Sequence, residues 1–110
     1  MKFLKRKKKR KFIANKETNL IVNNVGKIVL KKKDHLTIEI NKKKNEICAF
    51  EWGMYATSSI NKRLKKEGFK TFLVKNNYKK FFIMLVDKKK MKSFNSYLLS
   101  EKSKIYKKLG

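Results

Sequence analysis

Apolar residues along this chain recur with two different periods, and the change between them marks where strands should give way to helices. Leu20, Ile21 and Val22, followed by Ile28, Val29 and Leu30, bracket Asn23, Asn24 and Gly26, which predicts a bulged strand or a tight hairpin. Leu36, Ile38 and Ile40 alternate with His35, Thr37 and Glu39, the signature of a half-buried strand. Beyond NKKKN, the next run places Cys48, Phe50 and Trp52 on one face and Ile47, Ala49 and Glu51 on the other. The two runs predict an antiparallel hairpin, with the Cys48 face turned toward the core.

At Gly53 the period becomes helical. Ala56, Ile60 and Leu64 form a stripe that predicts a helix from about Tyr55 to Glu67, ended by Gly68 in a left-handed position with Phe69 packed back on Leu64. FKTFLVK reads as a strand, Asn76 and Asn77 as a turn, and YKKFFIMLVD as another strand. The unbroken apolar run Phe81 to Val86 predicts a central strand covered on both faces. Met91, Phe94, Leu98 and Ile105 then fall at helical spacing over residues 90–108.

The expected fold is α+β: a mixed or antiparallel sheet in the order β-β-β-α-β-β-α, with two helices on one face. Residues 1–16 are expected to form a flexible basic tail, and 17–110 a single domain. From Ile47 to Leu99 this order resembles the β-α-β-β-α part of ferredoxin-like folds. The rhythm ICAF…LKKEGFKTFLV…FFIMLV is also similar to that of SPOR domains, which bind peptidoglycan. KMKSFNSYLLSEKSKI resembles the opening strand and helix of a small-subunit ribosomal protein family. That last likeness is too short to name a family.

Charge changes the picture more than any motif. The chain of 110 residues carries 32 Lys and Arg against 8 Asp and Glu, a formal net charge of +24. Self-repulsion of this size opposes compaction, and an anionic partner relieves it. A/T-rich coding explains abundant lysine but not scarce acid, because Asp and Glu are also served by A/T-containing codons. Nine of the basic residues lie in 1–16, so the remainder still holds +15.

The expected topology brings basic residues from distant segments to one edge: Lys42, Lys43 and Lys44, then Lys62, Arg63, Lys65 and Lys66, then Lys88, Lys89 and Lys90. Lys5, Arg6, Lys7, Lys8, Lys9 and Arg10 extend this rim from the tail. Tyr78, beside Lys79 and Lys80, is the candidate for base stacking. Thr57 and Ser58, at the expected helix start, are candidates for a phosphate contact or an N-cap.

Catalytic chemistry finds little to work with. The single cysteine, Cys48, and the single histidine, His35, cannot assemble a zinc cage, and the carboxylates have no paired spacing. Gly26, Gly53, Gly68 and Gly110 make no phosphate-cradling loop. No enzyme activity, cofactor, metal or small-molecule substrate is therefore expected. A lone cysteine and the lack of a secretory apolar segment point to an intracellular, reducing compartment, either cytoplasm or an organelle matrix such as that of a mitochondrion.

The expectation is an RNA-binding structural protein, contacting structured RNA, with ribosomal RNA among the candidates, and neighbouring proteins of a ribosome or other ribonucleoprotein. The alternatives are a DNA-binding or virion-packaging protein, and a peripheral protein on anionic membranes.

Overall fold

The computed structural model describes Lys2–Gly110. Its elements are β1 (Lys2–Asn15), β2 (Leu20–Val29), β3 (His35–Ile40), β4 (Lys43–Phe50), β5 (Gly53–Ala56), α1 (Arg63–Glu67), β6 (Phe69–Lys75), β7 (Phe81–Asp87), α2 (Met91–Ser100) and β8 (Lys104–Leu109), with a 3-10 turn at Lys88–Lys90 before α2. Strand residues dominate. They form three small sheets, in the orders β1-β2, β3-β4-β5 and β7-β6-β8.

The α+β arrangement in the order β-β-β-α-β-β-α, with two helices on one face, is therefore corrected. Of the expected helix from Tyr55, only the five residues Arg63–Glu67 are helical. Its front end instead extends a hairpin, pairing Ala56 with Ile47, Tyr55 with Cys48 and Met54 with Ala49. A helix begun at Tyr55 would forfeit those ladder hydrogen bonds. The second helix stops at Ser100, and Lys104–Leu109 turns back as a strand on β6. That gives β6 partners on both sides, so β6 and not the Phe81–Val86 run is the central strand. The ferredoxin-like order is not formed either, because β4 shares its sheet with β3 and β5, while β6 belongs to another sheet.

The chain divides into two compact units. The first comprises residues up to Thr37 together with Glu46–Thr57. The segment read as a tail is strand β1, antiparallel to β2 around the turn that contains Asn19 at φ 58°. Leu20 to Val29 is one strand, not a hairpin of its own. At Gly26 the strands approach so closely that a Cβ would lie 2.8 Å from the Leu4 carbonyl oxygen. Apart from Asn15, every residue of β1 is exposed.

The second unit comprises Ile38–Asn45 and Ser58–Gly110. Its core is Phe72, Val74, Val86, Phe94 and Leu98, with Met84 and Met91 packed against it. Phe72 of β6 and Phe94 of α2 stack with centroids 5.5 Å apart. The turn Asn41–Lys42, with φ 51° and 65°, has the left-handed backbone at both positions that a two-residue hairpin turn requires. Gly68 adopts φ 94° after α1, and Leu64 and Phe69 on either side are buried, so the helix ends where its sequence said it would. Among the described residues no helix is long and apolar enough to cross a membrane.

Candidate nucleic-acid interface

In the second unit, three of the basic segments meet at the end of α1. The Lys43 ammonium donates to the Glu67 carbonyl at 2.9 Å, and the Lys44 amide donates to the Glu67 carboxylate at 3.0 Å. A cation over the last carbonyls of a helix is favourable, since those groups lack partners along the helix and carry its negative end. Lys43 also lies 4.0 Å from Asp87. The Lys88 amide donates to the Gly68 carbonyl at 2.9 Å, tying the 3-10 turn to the same place. Asp87 caps that turn, its carboxylate accepting from the Lys89 amide at 2.9 Å.

Lys42, Lys44, Lys62, Arg63, Lys65, Lys66, Lys88, Lys89 and Lys90 are all exposed on these three segments, and Lys43 is half-buried between them. These segments meet although the topology from which their convergence was expected is not formed. The hairpin turn, the end of α1 and the start of the 3-10 turn depend on Asn41, Gly68 and Asp87, whose backbone signals are local. Lys70 and Lys108 were not singled out, yet they join Lys65 and Lys88 around a cavity of about 160 Å³ that Thr71 also lines. Their strand pairing, with Lys108 opposite Phe72, appears only once β8 is known to be a strand.

In the first unit, Arg6–Lys9 are thrown out of the β1–β2 ladder. Lys5 pairs with Gly26 and Arg10 with Asn24, so Val25 alone spans on β2 what four basic residues span on β1. Asn24 fixes this bulge: its amide oxygen accepts from the Arg6 guanidinium at 2.7 Å and from the Gly26 amide at 3.2 Å. Arg10 sits over the Phe12 ring at 5.9 Å. Arg6–Lys9 thus lie outside the regular ladder, and all four are exposed.

The remaining candidates fall elsewhere. Tyr78 is half-exposed in the β6–β7 turn, where its amide donates to Asn76 at 2.9 Å. Thr57 and Ser58 do not start a helix. The residue that helps start α1 is Ser59, whose hydroxyl accepts from the Arg63 amide at 3.1 Å. Ser58 is buried, and Thr57 lies 3.4 Å from the His35 ring.

His35, Glu46 and Thr57 superficially resemble a catalytic relay. Both Glu46, at 2.7 Å, and Thr57 approach the same nitrogen, Nε2, whereas a relay needs acid and nucleophile on opposite ring nitrogens. Their arrangement ties β3, β4 and the chain after β5 together. Cys48 is half-buried, with its thiol 3.9 Å from the Ala49 carbonyl. Among the described residues no three His, Cys, Asp or Glu side chains cluster to hold a metal ion. A largely apolar cleft of about 520 Å³ in the second unit is lined by Phe69, Met84, Phe94, Lys43, Lys90 and Tyr97. Burial, and then the Glu101 carboxylate, raise the Tyr97 phenol above its ordinary value.

No family model, curated protein or solved structure matches this chain.

Proposed function

We propose that this protein is a structural RNA-binding component of a ribonucleoprotein, holding the phosphate backbone of structured RNA by charge. The observation that carries the reading is the convergence of Lys43, Lys65, Lys66, Lys88 and their neighbours at one end of the second unit in a chain with only 8 acidic residues. Each lysine that neutralises a phosphate releases condensed counterions, which drives association without regard to base sequence. Lysine suits this work, since it is a compact point charge and lacks the planar fork with which arginine reads bases.

The β1–β2 ribbon supports the same reading. Two strands alone are marginally stable in water, and a strand as cationic as β1 gains from an anionic surface to lie on. The exposed Phe3, Leu4, Phe12 and Ile13 of this ribbon favour a second reading, attachment to an anionic membrane.

Affinity for structured RNA, measured across a salt series, tests the proposal. The logarithm of the association constant is expected to fall linearly with the logarithm of salt, with a slope on the order of −5 to −9 if about six to ten phosphates are engaged. Replacing Lys65, Lys66 and Lys88 by Gln should flatten the slope by about 2 to 3. A salt-independent affinity, or none for RNA beside firm binding to anionic vesicles, would refute it. Equal affinity for duplex DNA would move the assignment to the DNA-binding alternative.

A further inference from the structure

The β4–β5 hairpin leaves three aromatic rings together on one face. Phe50 stacks on Trp52 with centroids 5.4 Å apart and planes 5° from parallel. Tyr55 lies 5.7 Å from Phe50 and 6.0 Å from Trp52, with planes inclined by 17° and 22°. The ladder explains the grouping. Phe50 pairs with Gly53, and Tyr55 stands two residues further along the opposing strand, on the same face. The sequence assigned Phe50 and Trp52 to a core, yet Trp52 is 72% and Tyr55 48% exposed.

Beside the rings runs a basic loop held by backbone hydrogen bonds. The Lys33 amide donates to the Ala49 carbonyl at 2.7 Å, and the Ala49 amide donates to the Asp34 carbonyl at 2.9 Å. The loop is closed by the Lys31 amide, which donates to the Asp34 carboxylate at 2.8 Å. Lys31, Lys32 and Lys33 are thus fixed alongside the residue that precedes Phe50. Lys32 lies 3.6 Å from Glu51, a pair whose two side chains are 62% and 83% exposed and so bind each other weakly.

We propose that Phe50, Trp52 and Tyr55 form a stacking platform for unpaired bases of a single-stranded RNA segment, with the Lys31–Lys33 loop holding the adjoining phosphates. The inference rests on the RNA-binding reading and narrows it to loops, bulges or ends within a structured RNA. Proteins that hold single strands combine flat aromatic faces with a cationic track along the backbone, and both lie here within one unit. The exposure of Trp52 and Tyr55 leaves ring surface open beyond their mutual stack, and it is on such faces, beside cations, that bases stack. Lys32 would exchange Glu51 for a phosphate, so Glu51 should act as a competitor that weakens binding.

Trp52 is the only tryptophan, so its fluorescence reports on this surface alone. The experiment titrates the full chain with a single-stranded oligouridylate, an RNA duplex, a structured RNA, and vesicles of phosphatidylglycerol and phosphatidylcholine. Trp52→Ala, Lys32→Ala and Glu51→Gln are compared by anisotropy of labelled RNA. Oligouridylate is expected to quench Trp52, and Trp52→Ala to weaken its binding about tenfold without changing the salt slope. Lys32→Ala should reduce the slope by about 0.7, and Glu51→Gln should tighten binding. Salt-dependent binding of structured RNA with Trp52 unquenched, or with Trp52→Ala at full affinity for oligouridylate, would overturn the platform and leave the broader reading standing. Absence of binding to any RNA would remove both. A Trp52 signal that answers only to vesicles would overturn the platform in favour of a membrane surface.

Discussion

Single residues decide the local geometry of the basic surfaces. Asp34 is one, because its carboxylate closes the Lys31–Lys33 loop. The Lys31 backbone amide, hydrogen-bonded to the ionised form, holds the Asp34 carboxyl below the ordinary carboxylate range. A depressed value means that the closing bond is present above the pKa of the unfolded chain and is lost as pH falls through the lower folded value. The Lys31 amide resonance should therefore shift in the acid range, below the pH at which free aspartate titrates. Asp34→Asn should abolish that titration while leaving the core resonances in place. Gly26 is another, since a Cβ there would press on the backbone of Leu4 and Lys5, which no side-chain rotation relieves.

At the level of elements, the packing of α2 on β6 and β7 carries the second unit. Phe94→Ala should destabilise it by about 3–5 kcal/mol, measured as a shift of the urea midpoint with an unchanged slope, because the ring it removes is buried against Phe72. Much of this unit was legible. Phe69–Lys75, Phe81–Asp87 and the helical turns of Met91, Phe94 and Leu98 follow from their periodicity, and Gly68 and Asn76 mark their own turns. What misled were stripes that fit two structures at once. Ala56, Ile60 and Leu64 suit a helix, yet Leu64 alone is buried while Ala56 pairs with Ile47. Ile105 continues the helical spacing of Leu98, but Lys102, at φ 54°, ends the helix without the glycine that would have announced it. Strand β1 was hidden by its own charge. The mirrored pairs Phe12–Ile13 and Ile21–Val22 around the turn were the available sign, and lysines on either side masked it. For the candidate site, the rim was expected from a topology that did not form, and its segments meet instead through the contacts of Lys43, Lys44 and Lys88 with Glu67 and Gly68; the ring cluster was not legible, because alternation reveals which residues share a face but not whether anything covers it.

For the whole molecule, the ribbon β1–β2 has a consequence for solubility. A two-stranded sheet has open edges, each a row of backbone donors and acceptors on which a further strand could be templated, and this one also displays Phe3, Ile13, Ile21 and Val25. Lysines on such an edge oppose that pairing by repulsion, and a bulge opposes it by spoiling the flat edge. Neutralising them removes the guard. Mixing the protein with a polyanion should give turbidity that peaks near charge equivalence, about 24 phosphates per chain, and clears on either side. A chain lacking residues 2–15 should show a smaller peak at fewer phosphates, followed by light scattering. Strand β1 holds 8 of the chain's 32 basic residues and no acidic one, so without it the peak should fall at about 16 phosphates per chain.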